Sequence, residues 1–401
     1  MWQASVSHRL RRNRASGVRV VLALLLGTLV LGTQVMVSLG VAGPFTFATP
    51  AYADNRMVPD WPDAWQAPEL RDHPLAGKIW SREKRGFVTA QEYGLKLATT
   101  RFVLLGEVHD NPDHHRLQAW AIHAISKLRG ARIIEGAPQM DVVAMEMLTA
   151  DEQPALDRFY GRKARVPRAR TSADFGRLMK WDTLGWPAYE IYQPIITQSL
   201  NAHLVIIPAS PARAQNRKVS KEGMGALAHA TTERLGLARP LAPDLSKALG
   251  EEIRESHCGM LPDTAVPNMS VVQRLRDASM ADAMLGSPWK GAILIAGNGH
   301  VRRDRAVPWY LDARGIGAKD IAVVRHVEVE AGKSAVEDYG LGPAGEAAEL
   351  ADFVIFTPRQ PRNAPCDEMR RQMEAIKAKR KAQEKPAREA PPSSAASPPG
   401  R

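Results

Sequence analysis

The sequence predicts an α/β fold in which a mostly parallel central sheet is covered by helices on both faces. Short, continuous runs of large apolar residues, typical of strands buried on both sides, alternate along the chain with amphipathic helical patterns. Carboxylate and imidazole side chains lie at the C-terminal ends of three of these runs. Because ligands of open parallel sheets bind outside the carboxyl ends of the strands, this edge is the expected functional crevice.

The N-terminal residues 1–53 have the pattern of an export signal. Five arginines precede an apolar run over residues 20–41, and residues 51–53, Ala-Tyr-Ala, place small side chains at the −3 and −1 positions of a cleavage site. We expect cleavage before Asp54, although the run is also long enough for an uncleaved anchor. Both alternatives predict export to the periplasm or a membrane surface. No cysteine follows the run, so lipidation of an N-terminal cysteine is not expected.

The elements of the fold follow in chain order. Residues 54–78 are predicted to be an extended lead-in, and residues 79–365 one domain with a helical insertion. Predicted strands cover residues 102–107, 141–147, 203–208, 291–296, 321–329 and 351–357. Predicted helices cover residues 113–128, 151–160 with Asp151 as the cap, 175–200 with interruptions at Pro187 and Pro194, and 270–285. The Ala-, Lys- and Arg-rich region 212–250 is assigned to the insertion, without helix limits.

The net charge of +11 does not indicate a nucleic-acid-binding protein. Residues 1–53 carry +5 and residues 366–401 carry +4, which leaves +2 for the region between them. The Pro-rich tail 366–401 is predicted to be disordered, with a short basic helix over residues 367–384. The two cysteines, Cys258 and Cys366, could pair in an oxidising compartment, but their separation in sequence does not decide whether they do.

Polar side chains at three strand ends form the candidate site. Glu107 and His109 close the first predicted strand, Glu146 lies in the second, and His300 ends the Gly-Asn-Gly-His motif in which glycines flank Asn298. Buried carboxylates need partners or a cation. Glu107, Glu146 and His300 could therefore hold a divalent metal that activates water, with manganese, cobalt or zinc the suitable ions. Glu107 and His109 could alternatively act directly as acid and base.

Other candidates carry weaker signals. His114 lies in the first turn of a predicted helix, where histidines are often exposed without a function. Tyr189 and Tyr192 are packing residues on spacing alone, although a phenol oxygen suits ferric haem iron. The stripe of Met269, Gln273, Asp277, Met280 and Met284 on the helix over 270–285 is interpreted as core rather than as a ligand set.

Five motifs in order resemble the ChaN-like haem-binding family, which belongs to the wider Tiki, TraB and erythromycin-esterase-like superfamily. They lie at residues 104–115, 145–156, 257–262, 273–281 and 296–302. The resemblance implies a periplasmic or membrane-associated protein of haem and iron uptake, with a pocket that a homodimer can complete. It favours a binding protein over an enzyme, and a membrane-associated transport partner.

The resemblance also implies the haem ligands. Tyr189 or Tyr192 is the expected axial ligand, and His109, His114, His300 and Asn298 are expected near the haem. The superfamily's other branch contains metal-dependent hydrolases and peptidases, so a hydrolase that uses Glu107, Glu146 and His300 is the alternative. A third hypothesis is a non-catalytic scaffold that binds partners through the charged tail.

Overall fold

The computed structural model describes residues 57–130, 136–161, 171–286, 288–342 and 345–363, and residues 366–367, 369–371, 373–375 and 378. Within them, eight strands form one sheet: β1 (Ile79–Ser81), β2 (Gly86–Val88), β3 (Phe102–Glu107), β4 (Val142–Thr149), β5 (Val205–Ser210), β6 (Ala292–Gly297), β7 (Ile321–Glu328) and β8 (Phe353–Thr357). The spatial order is β2-β1-β8-β7-β3-β6-β4-β5. The predicted signal segment and most of the predicted tail lie outside the described residues.

The six strands from β3 to β8 pair in parallel, and β1 and β2 add an antiparallel hairpin beside β8. The central strand β3 pairs with β7 on one side and β6 on the other. The register sets Glu107 opposite Gly297 and, across β6 to β4, Ile295 opposite Met145. The carboxyl ends of three strands therefore meet at one edge, as the sequence predicted.

Helices cover both faces of the sheet. They are α1 (Ala90–Thr99), α2 (Pro112–Gly130), α3 (Gln153–Phe159), α4 (Ser172–Met179), α5 (Tyr189–Asn201), α6 (Arg213–Glu222), α7 (His229–Leu235), α8 (Pro243–Ser256), α9 (Val266–Met284) and α10 (Val307–Asp312). One core includes Val103, Leu105 and Ile295 beneath α2 and α5. The other includes Leu104, Ala144 and Leu294 beneath α9 and α10. Alternate strand residues enter opposite cores, which explains the continuous apolar runs.

Several predicted boundaries are wrong for identifiable reasons. The β1–β2 hairpin was missed because its strands have three residues each, too few for a periodic pattern. Thr149, not Asp151, accepts the capping hydrogen bond after β4. The helical segment 175–200 is two helices, because Lys180 takes a left-handed conformation after α4 and α5 begins at Tyr189. Pro194 lies inside α5 without ending it.

The region 212–250 contains α6, α7 and the first part of α8, which supply the predicted helical insertion with defined limits. Predicted strand and helix limits elsewhere differ from the observed ones by a few residues. The helix predicted from residue 270 begins at Val266, since Pro267 occupies the first turn, where a missing N–H costs no hydrogen bond. No helix in the described ranges is long and apolar enough to cross a membrane.

A disulfide joins Cys258, which follows α8, to Cys366, beyond β8. The Cα atoms lie 5.4 Å apart and the cysteines are 108 residues apart in sequence. Between β8 and the disulfide, Arg362 pairs with Asp110 at 2.5 Å and with Glu328 at 2.6 Å. The chain after the sheet is therefore fastened to the loop that follows β3.

Replacing Cys258 and Cys366 together by serine should lower the free energy of unfolding by about 2–4 kcal/mol, because the bridge closes a long loop in the unfolded chain. Thermal or urea unfolding of the oxidised wild type and the double variant measures this. Free-thiol titration is the control, since the wild type should show no free thiol before unfolding. Equal stability, or two titratable thiols in the wild type, would contradict the assignment.

Candidate functional site

Glu107 is a buried carboxylate at the end of β3, where the apolar strand carries it beneath α2 and α5. Its Oε1 accepts hydrogen bonds from His109 Nδ1 at 2.8 Å and from the Tyr192 hydroxyl at 3.1 Å. Its Oε2 forms an ion pair with His115 Nδ1 at 3.1 Å. Three polar side chains thus compensate for the removal of this carboxylate from water.

His115 is placed to be an imidazolium. Its Nε2 lies 2.9 Å from the carbonyl of His109, and its Nδ1 lies 3.2 Å from Gln118 Oε1 as well as beside Glu107. The Gln118 amide is oriented by its donation to the Leu105 carbonyl at 3.0 Å. Both ring nitrogens therefore face acceptors and both must carry protons. Burial lowers the pKa of His115, but the charge and hydrogen bond of Glu107 outweigh it and raise the pKa.

The ionised state of Glu107 follows from the same contacts. Burial raises the pKa of Glu107, but the His115 charge and the hydrogen bonds from His109 and His115 oppose it and lower the pKa to about 2. The carboxylate is therefore charged at neutral pH and acts as an acceptor for the His109 ring.

His109 is the member of this cluster that reaches the surface. Its side chain is 35% exposed, and its ring lies 4.8 Å from that of the partly buried Trp186. Its Nε2 makes no hydrogen bond to any residue that the structure describes, and a Cβ at position 297 would lie 2.9 Å from it. Gly297 therefore leaves room for the His109 ring beside the backbone of β6.

A second cluster surrounds His300. Its Nδ1 bonds Asp277 Oδ1 at 2.6 Å, and its Nε2 lies 3.3 Å from Glu146 Oε1. Arg276 on α9 also bonds Glu146 Oε1, while Glu146 Oε2 accepts the Gly297 N–H at 2.7 Å. Burial lowers the pKa of His300, but Glu146 and Asp277 raise it to about 9 despite the opposing charge of Arg276. His300 is therefore cationic at neutral pH.

The structure brings together Glu107, His109, Glu146 and His300 around Gly297. It also gives Tyr192 and Asn298 roles there: Tyr192 donates to Glu107, and the backbone N–H of Asn298 donates to the Glu107 carbonyl at 2.9 Å. The Asn298 side chain donates to the His326 carbonyl at 2.7 Å, which fixes the loop after β6.

His114 and Tyr189 are not placed at this surface. His114 is fully buried; its Nδ1 accepts from the Val108 N–H at 2.8 Å and its Nε2 bonds the Thr357 hydroxyl at 2.8 Å, so neither nitrogen is available. The Tyr189 hydroxyl donates to the Ser172 carbonyl. These hydrogen bonds engage both His114 nitrogens and the Tyr189 hydroxyl within the protein, and a haem contact by either side chain stays a prediction.

Sequence reasoning missed Trp186, Arg276 and Asp277 as parts of the site. Asp277 and Gln273 were assigned to a core stripe on α9, but both reach His300, with Gln273 Nε2 at 3.2 Å from its Nδ1. The available signal was two polar residues spaced four apart within an apolar stripe. Arg276 and Trp186 carried no spacing signal.

The predicted metal set of Glu107, Glu146 and His300 is not supported. Glu107 Oε1 accepts from His109 and Tyr192 and its Oε2 faces the His115 ring, while Glu146 is held by Arg276, His300 and a backbone N–H. Across the described ranges, no group of three or more His, Cys, Asp or Glu side chains has the arrangement of metal ligands.

A cavity of about 700 Å³ lined by Ile125, Met140 and Leu204 lies at the amino end of the sheet, remote from the Glu107 and Glu146 clusters.

Glu146→Gln should lower the pKa of His300 from about 9, because burial then acts against fewer opposing charges. Because the pKa of His300 is higher in the folded state than the ordinary histidine value of 6.5, protonated His300 stabilises the fold fully at pH values below 6.5. This stabilisation is lost as the pH rises to about 9. The wild type should therefore lose more stability than the variant across that range. NMR titration of His300 and urea unfolding at several pH values test this. An unchanged His300 pKa in Glu146→Gln would contradict it.

Comparison with known proteins places the chain in a family and matches its fold to a solved structure. A family model described as "Haem-binding uptake, Tiki superfamily, ChaN" matches residues 95–311. No curated protein sequence matches the chain. The solved structure titled "Cofacial heme binding to ChaN of Campylobacter jejuni" is 20% identical, with a TM-score of 0.52 over 69% of this chain and 95% of that one.

More distant structural matches are the type III effector HopBA1 and a mutant of the erythromycin esterase EreC. HopBA1 is 11% identical with a TM-score of 0.35 over 67% of this chain and 93% of its own. The esterase is 10% identical with a TM-score of 0.33 over 72% and 99%. Since the family model covers more than half of the 401 residues, this protein belongs to the ChaN family of haem-binding uptake proteins in the Tiki superfamily.

Proposed function

We propose that this chain binds haem at the carboxyl edge of its sheet, with His109 Nε2 as the iron ligand. The observation that carries the proposal is the His109 side chain, which is 35% exposed: Nδ1 is held at 2.8 Å by the ionised Glu107, while Nε2 has no hydrogen-bond partner in the described chain. Iron-bound histidines commonly donate their other ring N–H to a carboxylate, which fixes the ring and raises its basicity.

The surroundings of His109 suit a porphyrin. Trp186 lies beside the imidazole with its ring tilted by 59°, and its indole N–H is anchored on the Met147 carbonyl at 3.0 Å. A fixed, partly exposed indole offers a flat apolar surface next to the ligating nitrogen. Haem would supply a ferric centre with an open coordination position, and the chain's part is to hold His109 and to cover one side of the ring system.

The predicted tyrosine ligands fit less well. Tyr192 is fully buried, and its hydroxyl donates to the Glu107 carboxylate and to the His109 carbonyl. Burial and the adjacent Glu107 charge raise the pKa of Tyr192, and burial also raises the pKa of Tyr189. Iron binding through a phenolate would require the opposite shift. The geometry therefore favours Tyr192 as a support for Glu107 rather than as an iron ligand.

We further propose that haem is handled outside the cytoplasm, as part of haem and iron uptake. Three observations support this: the signal-like sequence of residues 1–53, the Cys258–Cys366 disulfide, which is typical of oxidising compartments, and the family. A homodimer that completes the haem pocket and a membrane-associated transport partner are parts of the same proposal.

The alternative function for the same residues is that of a metal-dependent hydrolase. The hydrogen bonds that Glu107 and Glu146 already make do not favour metal binding by these carboxylates. The scaffold hypothesis depends on a tail most of which lies outside the described residues. We therefore retain haem binding as the function.

His109→Ala should weaken haem binding about 100-fold, and Glu107→Gln about 10–100-fold, because the ligand and its orienting carboxylate are lost. Tyr192→Phe should stay within a few-fold of the wild type. Hemin titrations followed by the shift of the Soret band measure these affinities, with circular dichroism to verify folding.

His229→Ala is the matched control for the histidine substitution, since the His229 side chain is 89% exposed on α7. Full affinity in His109→Ala together with loss of binding in Tyr192→Phe would reject the ligand assignment and restore the tyrosine prediction.

Haem affinity should fall as the pH decreases through the pKa of His109, because a proton on Nε2 competes with iron. Burial lowers this pKa, but the Glu107 hydrogen bond and the nearby carboxylates outweigh it, so the pKa is raised above 6.5 and the loss begins above that pH. Hemin titrations between about pH 5 and pH 9 test this. Affinity that keeps rising into the alkaline range where phenols ionise would instead indicate a tyrosine ligand.

A further inference from the structure

The chain after β8, residues 358–363, which we call the C-terminal strap, contacts the loop that carries His109. Arg362 in the strap donates two hydrogen bonds, of 2.5 and 2.6 Å, to the carboxylate of Asp110, the residue after His109. A second carboxylate, Glu328 at the end of β7, pairs with the same guanidinium at 2.6 Å. Arg362 therefore fastens the loop after β3 to the edge of the sheet.

The disulfide connects the end of the strap to the other loop of the site. Cys258 is bound to the last turn of α8, where its N–H donates to a backbone carbonyl at 2.8 Å. In the same helix, Glu252 contacts the loop after β6: it pairs with Arg305, and a Cβ at Gly299 would lie 3.3 Å from its Oε1. Gly299 directly precedes His300, so α8 supports the loop that carries the second cluster.

The disulfide also restrains Arg362. Cys366 lies four residues after Arg362, and a chain of that length spans at most about 14 Å. Arg362 and Asp110 are 22% and 41% exposed, and an ion pair of this kind contributes little by itself. With the disulfide closed, Arg362 meets Asp110 at a high effective concentration, which favours the pair.

The disulfide joins two partly exposed residues, which is typical of disulfides that exchange rather than of buried structural ones. Cys258 and Cys366 are the two cysteines of the chain, so no third thiol competes with them. In exchange with a dithiol, the S–S bond breaks and both cysteines become thiols. The dithiol supplies the two electrons and two protons and is itself oxidised to a disulfide.

We infer that this disulfide is a redox-controlled clamp on the haem site. When it is closed, the strap and α8 hold the loops of His109 and His300 in the arrangement that binds haem. When a dithiol opens it, the Arg362–Asp110 pair is lost and haem dissociates more readily. The inference rests on the proposed haem-binding function.

The test compares hemin titrations of the oxidised protein and of protein that is reduced with a phosphine, alkylated at both thiols and freed of reductant. We expect reduction to weaken binding about 5–20-fold, at the lower end of the usual coupling between sites. Arg362→Gln should weaken binding by a similar factor in the oxidised protein, and reduction should then add little. Arg359→Gln is the matched control, since this exposed arginine of the same strap pairs with Glu69 instead, and it should behave as the wild type does in both states.

Two further measurements separate the clamp from a merely stabilising disulfide. Dithiothreitol should release both thiols from the haem-free protein while circular dichroism shows it still folded. Hydrogen exchange of residues 108–111 should then become faster, because their loop is no longer fastened, and β4 should exchange as before. The variant with serine at both cysteine positions should reproduce the reduced protein, which excludes an effect of the alkyl groups.

The possible failures are distinct. If hemin affinity is the same after reduction, if reduction weakens the wild type and Arg362→Gln equally, or if the disulfide opens only when the protein unfolds, the clamp is wrong and haem binding stands. If the oxidised wild type shows no saturable hemin binding, the proposed function falls and this inference falls with it.

Discussion

The ionised Glu107 carboxylate is the interaction on which the candidate site depends. The apolar strand β3 forces this residue into the interior at the end of the sheet, where a charge is tolerated only with several donors. The cationic His115 supplies the compensating charge from below, and Tyr192 supplies a hydroxyl from α5. Oε1 also accepts from His109 Nδ1, which orients the ring, and His109 Nε2 faces Gly297 without a hydrogen-bond partner in the described chain.

The second cluster extends this arrangement across Gly297. Glu146 joins the two halves, because it contacts His300 and Arg276 through Oε1 and the Gly297 N–H through Oε2. A side chain at position 297 would collide with the His109 ring, so glycine there lets the two halves approach each other. The result is a network of charged side chains around a partly exposed imidazole.

The sequence predicted what depends on local apolar patterns. Continuous buried runs gave β3, β4 and β6 and the edge where Glu107, Glu146 and His300 meet, since parallel strands align their carboxyl ends. It did not predict partners that come from helices far away in the chain. Asp277 reaches the site only because α9 packs on the sheet face opposite α5, whereas Tyr192 on α5 was expected at the site from the family resemblance alone, and as an iron ligand. The exposure of each tyrosine and histidine depends on how the helices pack on the sheet, and the spacing of residues along the sequence does not reveal that packing.

The central claim is that Glu107 presents His109 Nε2 to haem iron. The most direct measurement is a crystal structure of the haem-loaded protein, in which the atom bonded to iron is read from the electron density. Our account predicts iron on His109 Nε2, with His109 Nδ1 still bonded to Glu107 and Tyr192 still buried beneath it. Iron bonded to the Tyr192 or Tyr189 oxygen, or haem bound away from the carboxyl edge of the sheet, would contradict it.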